Sequence, residues 1–75
     1  MKQTPEEIKF AKQLADWIRQ LRWRAEYSHA RLGHVAGVQG TTLERWERGD
    51  SMPRPFQIFL LRRFARAQGW EVPEL

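Results

Sequence analysis

The sequence predicts an all-α domain of four helices, and three observations carry that prediction. Apolar residues recur at intervals of three and four rather than alternating every second residue as they do on strands. Helix-start residues stand ahead of those runs, as in Thr4-Pro5 and Ser28. Glycines, at Gly37, Gly49 and Gly69, stand where the runs stop and where a left-handed residue is needed. A chain of 75 residues supports one small core, so residues 1–75 are expected to form a single domain.

The first helix is expected over about 5–24. Thr4-Pro5-Glu6-Glu7 combines a capping hydroxyl, a proline in the first turn and a glutamate three residues after the cap. Ile8, Ala11, Leu14, Ala15, Ile18 and Leu21 then form one apolar stripe. Ser28 caps a short second helix, about 29–36, that turns Leu32, Val35 and Ala36 inward and ends at Gly37. The third, about 40–48, buries Leu43 and Trp46 and stops at Gly49. Pro53 and Pro55 make 50–55 a loop, because proline lacks the amide proton and biases its predecessor away from helix. The fourth, about 55–68, is expected to face Leu60, Leu61, Phe64 and Ala67 to the core, with Gly69 closing it and Trp70 folding back as a lid. Trp46 reads as core, whereas Phe10, Trp17, Trp23 and Phe59 read as candidates for an exposed aromatic interface.

Hydrophobic residues at 41% and charged residues at 29% suit a folded domain, not a disordered tail. No cysteine is present, which excludes a disulfide, a thiol nucleophile and a cysteine-based zinc site. No apolar run nears the roughly 18 residues of a membrane span, and the start lacks a secretory pattern, so a cytoplasmic protein without membrane partners is expected. His29 and His34, five residues apart, point to different faces of a helix and have no clustered carboxylates around them. The chain therefore reads as a non-enzyme with neither cofactor nor metal. RNA binding lacks the stacking aromatics and glycine-rich loops of its usual modules. The formal charge of +4 is unevenly spread: all lysines lie in the first twelve residues, and from Arg19 to Arg66 ten arginines face only Glu26, Glu44, Glu47 and Asp50, a net of +6. Arginine suits phosphate and guanine, although a genome's base composition produces the same bias.

The segment from His29 to Gly49, HARLGHVAGVQGTTLERWERG, resembles the helix-turn-helix of the phage-repressor and Cro-type family, also called the xenobiotic-response-element type. The match includes the small Gly33, the turn residue Gly37, and the apolar Leu32, Ala36, Val38, Leu43 and Trp46. Physically, a small residue lets two helices cross closely, glycine permits a positive φ, and the apolar set locks the angle. Glu47-Arg48-Gly49 and Leu21-Arg22 resemble further signatures of this family, and the likeness runs roughly from Ile18 to Trp70. His29, Gln39 and Gln68 depart from its usual glutamine, serine and leucine, and the loop with Pro53 and Pro55 is slightly long.

The resemblance implies a compact lambda-repressor-like domain with its helix-turn-helix at about 29–48. It also implies a structural ion pair between Arg22 and Glu47. Double-stranded DNA is the implied ligand, with the third helix in the major groove. The base-reading positions fall on Gln39, Gly40, Thr41, Glu44 and Arg45. Arg45 is the strongest reader, because its guanidinium matches guanine O6 and N7. Gln39 is suited either to adenine or to capping, and Thr41 to a thymine methyl or to phosphate. Glu44 is suited to cytosine, to repelling phosphate, or to holding Arg45 or Arg48 in place. Gly40 contributes no side chain and reads as room for a close backbone approach. Phosphate contacts are expected from Ser28, His29, Arg31, Arg48 and Arg54, and solvent-facing charges from Arg62, Arg63 and Arg66. The implied role is a small transcriptional regulator, a homodimeric repressor on a palindromic operator. The alternative is an antitoxin or interaction module that binds a toxin and regulates its own operon.

Overall fold

Thr4 starts the first helix as its hydroxyl chemistry dictates, with Oγ1 accepting from the amide of Glu7 at 3.1 Å. The structure, a computed structural model, describes residues 4–73. It is all-α, with no strand among those residues: α1 is Pro5–Ala25, α2 His29–Val35, α3 Gly40–Arg48 and α4 Pro55–Ala67. The radius of gyration is 11.8 Å, against about 11 Å for a compact chain of this length. No described helix is long and apolar enough to cross a membrane.

Each helix contributes to one core: Leu14, Trp17, Ile18 and Leu21 from α1, Leu32 from α2, Leu43 and Trp46 from α3, and Leu61 and Ala65 from α4. Three expectations are corrected here. Trp17 is not an interface aromatic but 8% exposed; it follows Leu14 by three residues and precedes Leu21 by four, so it widens the buried stripe. Ile8 is 44% exposed, because the 21 residues of α1 run about 31 Å at 1.5 Å per residue and its first turns overrun the core. In α4 the buried line is Leu61 and Ala65, leaving Leu60 half-buried and Ala67 exposed. The helix ends differ from expectation by one residue: α1 extends to Ala25, while Ala36 and Gln68 are caps outside α2 and α4.

Glu26 closes α1 in the left-handed region at φ 57°, and the amide of Tyr27 then returns to the Arg22 carbonyl at 3.1 Å. At the end of α4 the amide of Trp70 returns to the Ala65 carbonyl at 3.0 Å, and its indole meets Phe64 edge-on at 6.1 Å. The lid expected of Trp70 is thus built from a hydrogen bond and an aromatic contact.

Gly37 adopts φ +75° with nothing within 4 Å of where a Cβ would stand. The amide of Val38 can then return to the Gly33 carbonyl at 2.8 Å, fixing the turn into α3. Gly37→Ala meets no clash, so its cost is conformational alone: about 1–2 kcal/mol, read from the denaturant midpoint. Gly37→Asn is expected to lose less, because asparagine tolerates this region.

Candidate nucleic-acid interface

α2 and α3 meet at backbone distance because two glycines lack side chains. A Cβ on Gly33 would lie 2.8 Å from the Val38 carbonyl oxygen, and a Cβ on Gly40 2.8 Å from the Ala30 amide nitrogen. The close approach expected at Gly40 is therefore spent inside the protein, against the start of α2. Gly40 is half-buried and has no side chain to offer, so it belongs to the seam between the helices and not to the outward face. Leu32, Val38, Leu43 and Trp46 pack beneath this seam, all buried except the partly buried Val38.

α1 clamps the other end of α3. Arg22 donates from Nε to Glu47 Oε2 at 2.7 Å and from Nη2 to Glu47 Oε1 at 3.1 Å, a bidentate pair. Its Nη1 reaches the Tyr27 carbonyl at 3.4 Å. The side chains of Arg22 and Glu47 are only 16% and 7% exposed. Hydrogen bonding to Glu47 raises the Arg22 pKa above its ordinary value, opposed by burial and reinforced by attraction to Glu47 and Glu44. A raised basic pKa contributes stability that is complete below the unfolded-state value and is lost only as pH rises through the folded one. The contribution of Arg22 is therefore intact at neutral pH and, on the alkaline side, is lost only in strong alkali. Sequence reasoning missed Arg19, which donates from Nη2 to the Glu47 carbonyl at 2.8 Å and also pairs with Asp16. Its one sequence signal is its place a turn before Arg22, on the same side of α1.

The expected phosphate contacts are variously placed. Ser28 Oγ accepts from the Arg31 amide at 3.1 Å as the cap of α2, leaving its hydroxyl proton to donate elsewhere. His29 points its ring inward, Nδ1 at 3.9 Å from Glu44 and Nε2 at 3.6 Å from Glu47. Those separations exceed a hydrogen bond, but they set the imidazole beside two carboxylates of α3. The Arg31 guanidinium lies over the Tyr27 ring at 4.2 Å, and the residue is exposed. Arg48 pairs with Asp50 at 2.9 Å, and the amide of Arg54 donates to Gln57 Oε1 at 2.7 Å as α4 begins.

On the outer side of α3, Thr41, Arg45 and Arg48 are exposed at four- and three-residue spacing and make one stripe, with Glu44 half-buried beside it. Gln39 occupies the N-cap position with no side-chain capping bond, so of its two expected uses only the outward one is open. Glu44 faces His29, and among the described residues it holds neither Arg45 nor Arg48. No ion pair among those residues engages Arg45. No group of three or more His, Asp or Glu among them is placed to hold a metal ion. The chain matches no protein-family model, no curated protein and no solved structure.

Proposed function

We propose that the chain binds double-stranded DNA sequence-specifically, with α2 and α3 acting as a helix-turn-helix, and serves as a small transcriptional regulator. The observation that carries the reading is the division of α3 into two faces. One is sealed by Leu43, Trp46 and the Glu47 clamp. The other holds Thr41 and Arg45, which no described residue pairs, with Gln39 at its leading end making no side-chain cap. A helix fixed so firmly on one side presents its other side with little entropy left to lose on binding. The excess of arginine supplies the non-specific attraction to phosphate on which such recognition is built.

In this reading Arg45 specifies a guanine, Gln39 and Thr41 read adjacent positions, and Arg31 and Arg48 steady the backbone. Two copies related by a two-fold axis address half-sites about one helical turn apart. Selection from random duplexes, followed by titration at several salt concentrations, tests it. Arg45→Ala is expected to cost about 1–3 kcal/mol on the selected site and to relax one base position. Arg31→Ala or Arg48→Ala should weaken all sequences alike and lower the salt slope by about one. Indifference to every duplex at low salt would overturn the proposal, and equal effects from all three variants would reject the division of roles.

A further inference from the structure

A groove away from α2 and α3 runs between the first half of α1 and the start of α4, lined by Phe10, Met52, Ile58, Phe59, Arg62 and Arg66. It is open and holds about 400 Å³. Pro53 and Pro55 also line it, and their fixed φ angles restrict the loop that leads into α4. Phe59 is 49% and Met52 38% exposed, and Phe56, 68% exposed, stacks beside Phe59 at 6.1 Å. Such a gathering of large apolar side chains on a small domain marks a contact surface.

The charged side chains that line this groove, Arg62 and Arg66, are both cationic. Among the described residues no acid lines it, and Arg63 lies over Phe59 at 5.7 Å. The ion pairs among the described residues engage Arg19, Arg22, His29 and Arg48, and none engages Arg62, Arg63 or Arg66. Arg62, expected to face solvent, is half-buried, and its Nε is a buried donor with no acceptor among the described residues. A buried donor of this kind is satisfied by an acceptor that the described residues do not supply, a water or a docked group.

We infer that the groove is a docking site for a short segment of a partner protein that carries large apolar residues flanked by carboxylates. The apolar residues fill the space between Phe10, Ile58 and Phe59, and the carboxylates meet Arg62 and Arg66. A second copy docked by this same face is a poor occupant, because its matching lining brings two more arginines and no carboxylate. Duplex DNA is poor as well, since its phosphates leave the phenylalanines without a partner. The inference does not rest on DNA binding, because no residue of α2 or α3 lines the groove.

The test is selection of a random peptide library displayed on phage with the intact chain as bait, followed by titration of the enriched peptide in synthetic form. Enriched sequences should combine aromatic or branched apolar residues with Asp or Glu. Phe59→Ala and Arg66→Glu, both at exposed side chains, should each weaken the peptide about tenfold or more, equivalent to roughly 1.4 kcal/mol, with the thermal midpoint unchanged. Added salt should weaken it further. The inference is overturned by enrichment of peptides without carboxylates, by affinity that neither variant alters, or by no enrichment at all. It is equally overturned by sedimentation that shows a dimer lost in Phe59→Ala, or by duplex binding that Arg66→Glu weakens as much as Arg45→Ala does.

Discussion

Glu47→Ala is expected to destabilise the chain by about 3–5 kcal/mol, the range for breaking a buried ion pair from one side. A chain of 75 residues has roughly 4–11 kcal/mol to lose at typical stability per residue. The change therefore removes much of the margin. The cause lies in what is left behind: Arg22 keeps one weak acceptor, the Tyr27 carbonyl at 3.4 Å, while its side chain stays only 16% exposed. Arg22→Lys is expected to hurt as well, because an ammonium cannot grip both carboxylate oxygens at once. Replacing both partners, Arg22→Met with Glu47→Leu, should recover most of the loss, since it removes the stranded charge along with its partner. Urea denaturation of the three variants beside the unaltered chain decides the matter. A loss under about 1 kcal/mol for Glu47→Ala would show that water already solvates the pair.

The second large effect concerns the seam of α2 and α3. Gly33→Ala and Gly40→Ala should each destabilise by about 1–3 kcal/mol, the cost of overpacking. Helix propensity alone points the other way, favouring alanine by up to about 1 kcal/mol, so the sign of the change discriminates. Backbone atoms make the clash: the Val38 carbonyl oxygen for Gly33, and the Ala30 nitrogen and Cα for Gly40, at 3.0 Å or less. No side-chain rotation relieves either contact, and the helices must part. The double variant should lose less than the sum, because one separation accommodates both methyls. Stabilisation by either single change would mean that the helices are not in contact there.

Much of the fold was legible because its signals are local. Thr4, Ser28, Gly37 and Gly69 act through hydrogen bonds and φ angles within a few residues, and all stand at the ends they mark. The end of α1 was less legible, because Glu26 takes a left-handed angle without being glycine or asparagine. Burial was legible where two stripes face each other, as at Leu32 and Leu43. It failed at Ile8 and Trp17, where the answer depends on how far the neighbouring helices extend. At the candidate site, the pairing of Arg22 with Glu47 was carried by the family resemblance, and the geometry contains it. The inward turn of His29, the buried Nε of Arg62 and the packing of Gly40 are products of tertiary crossing, and no spacing in the sequence encodes them.

If the chain reads DNA as proposed, the packing of Gly40 against α2 limits how much a single copy discriminates. With that position withdrawn, the cap and first two turns of α3 keep Gln39, Thr41 and Arg45 as outward side chains, enough on the proposed reading for about three base pairs, a word that recurs by chance roughly once in 64 steps. Against the roughly 10⁶ or more competing positions of a genome, such a vocabulary cannot name an address. Selectivity in the cell must then come from reading several words together, through paired copies, a bound partner or the bending preferences of the duplex itself.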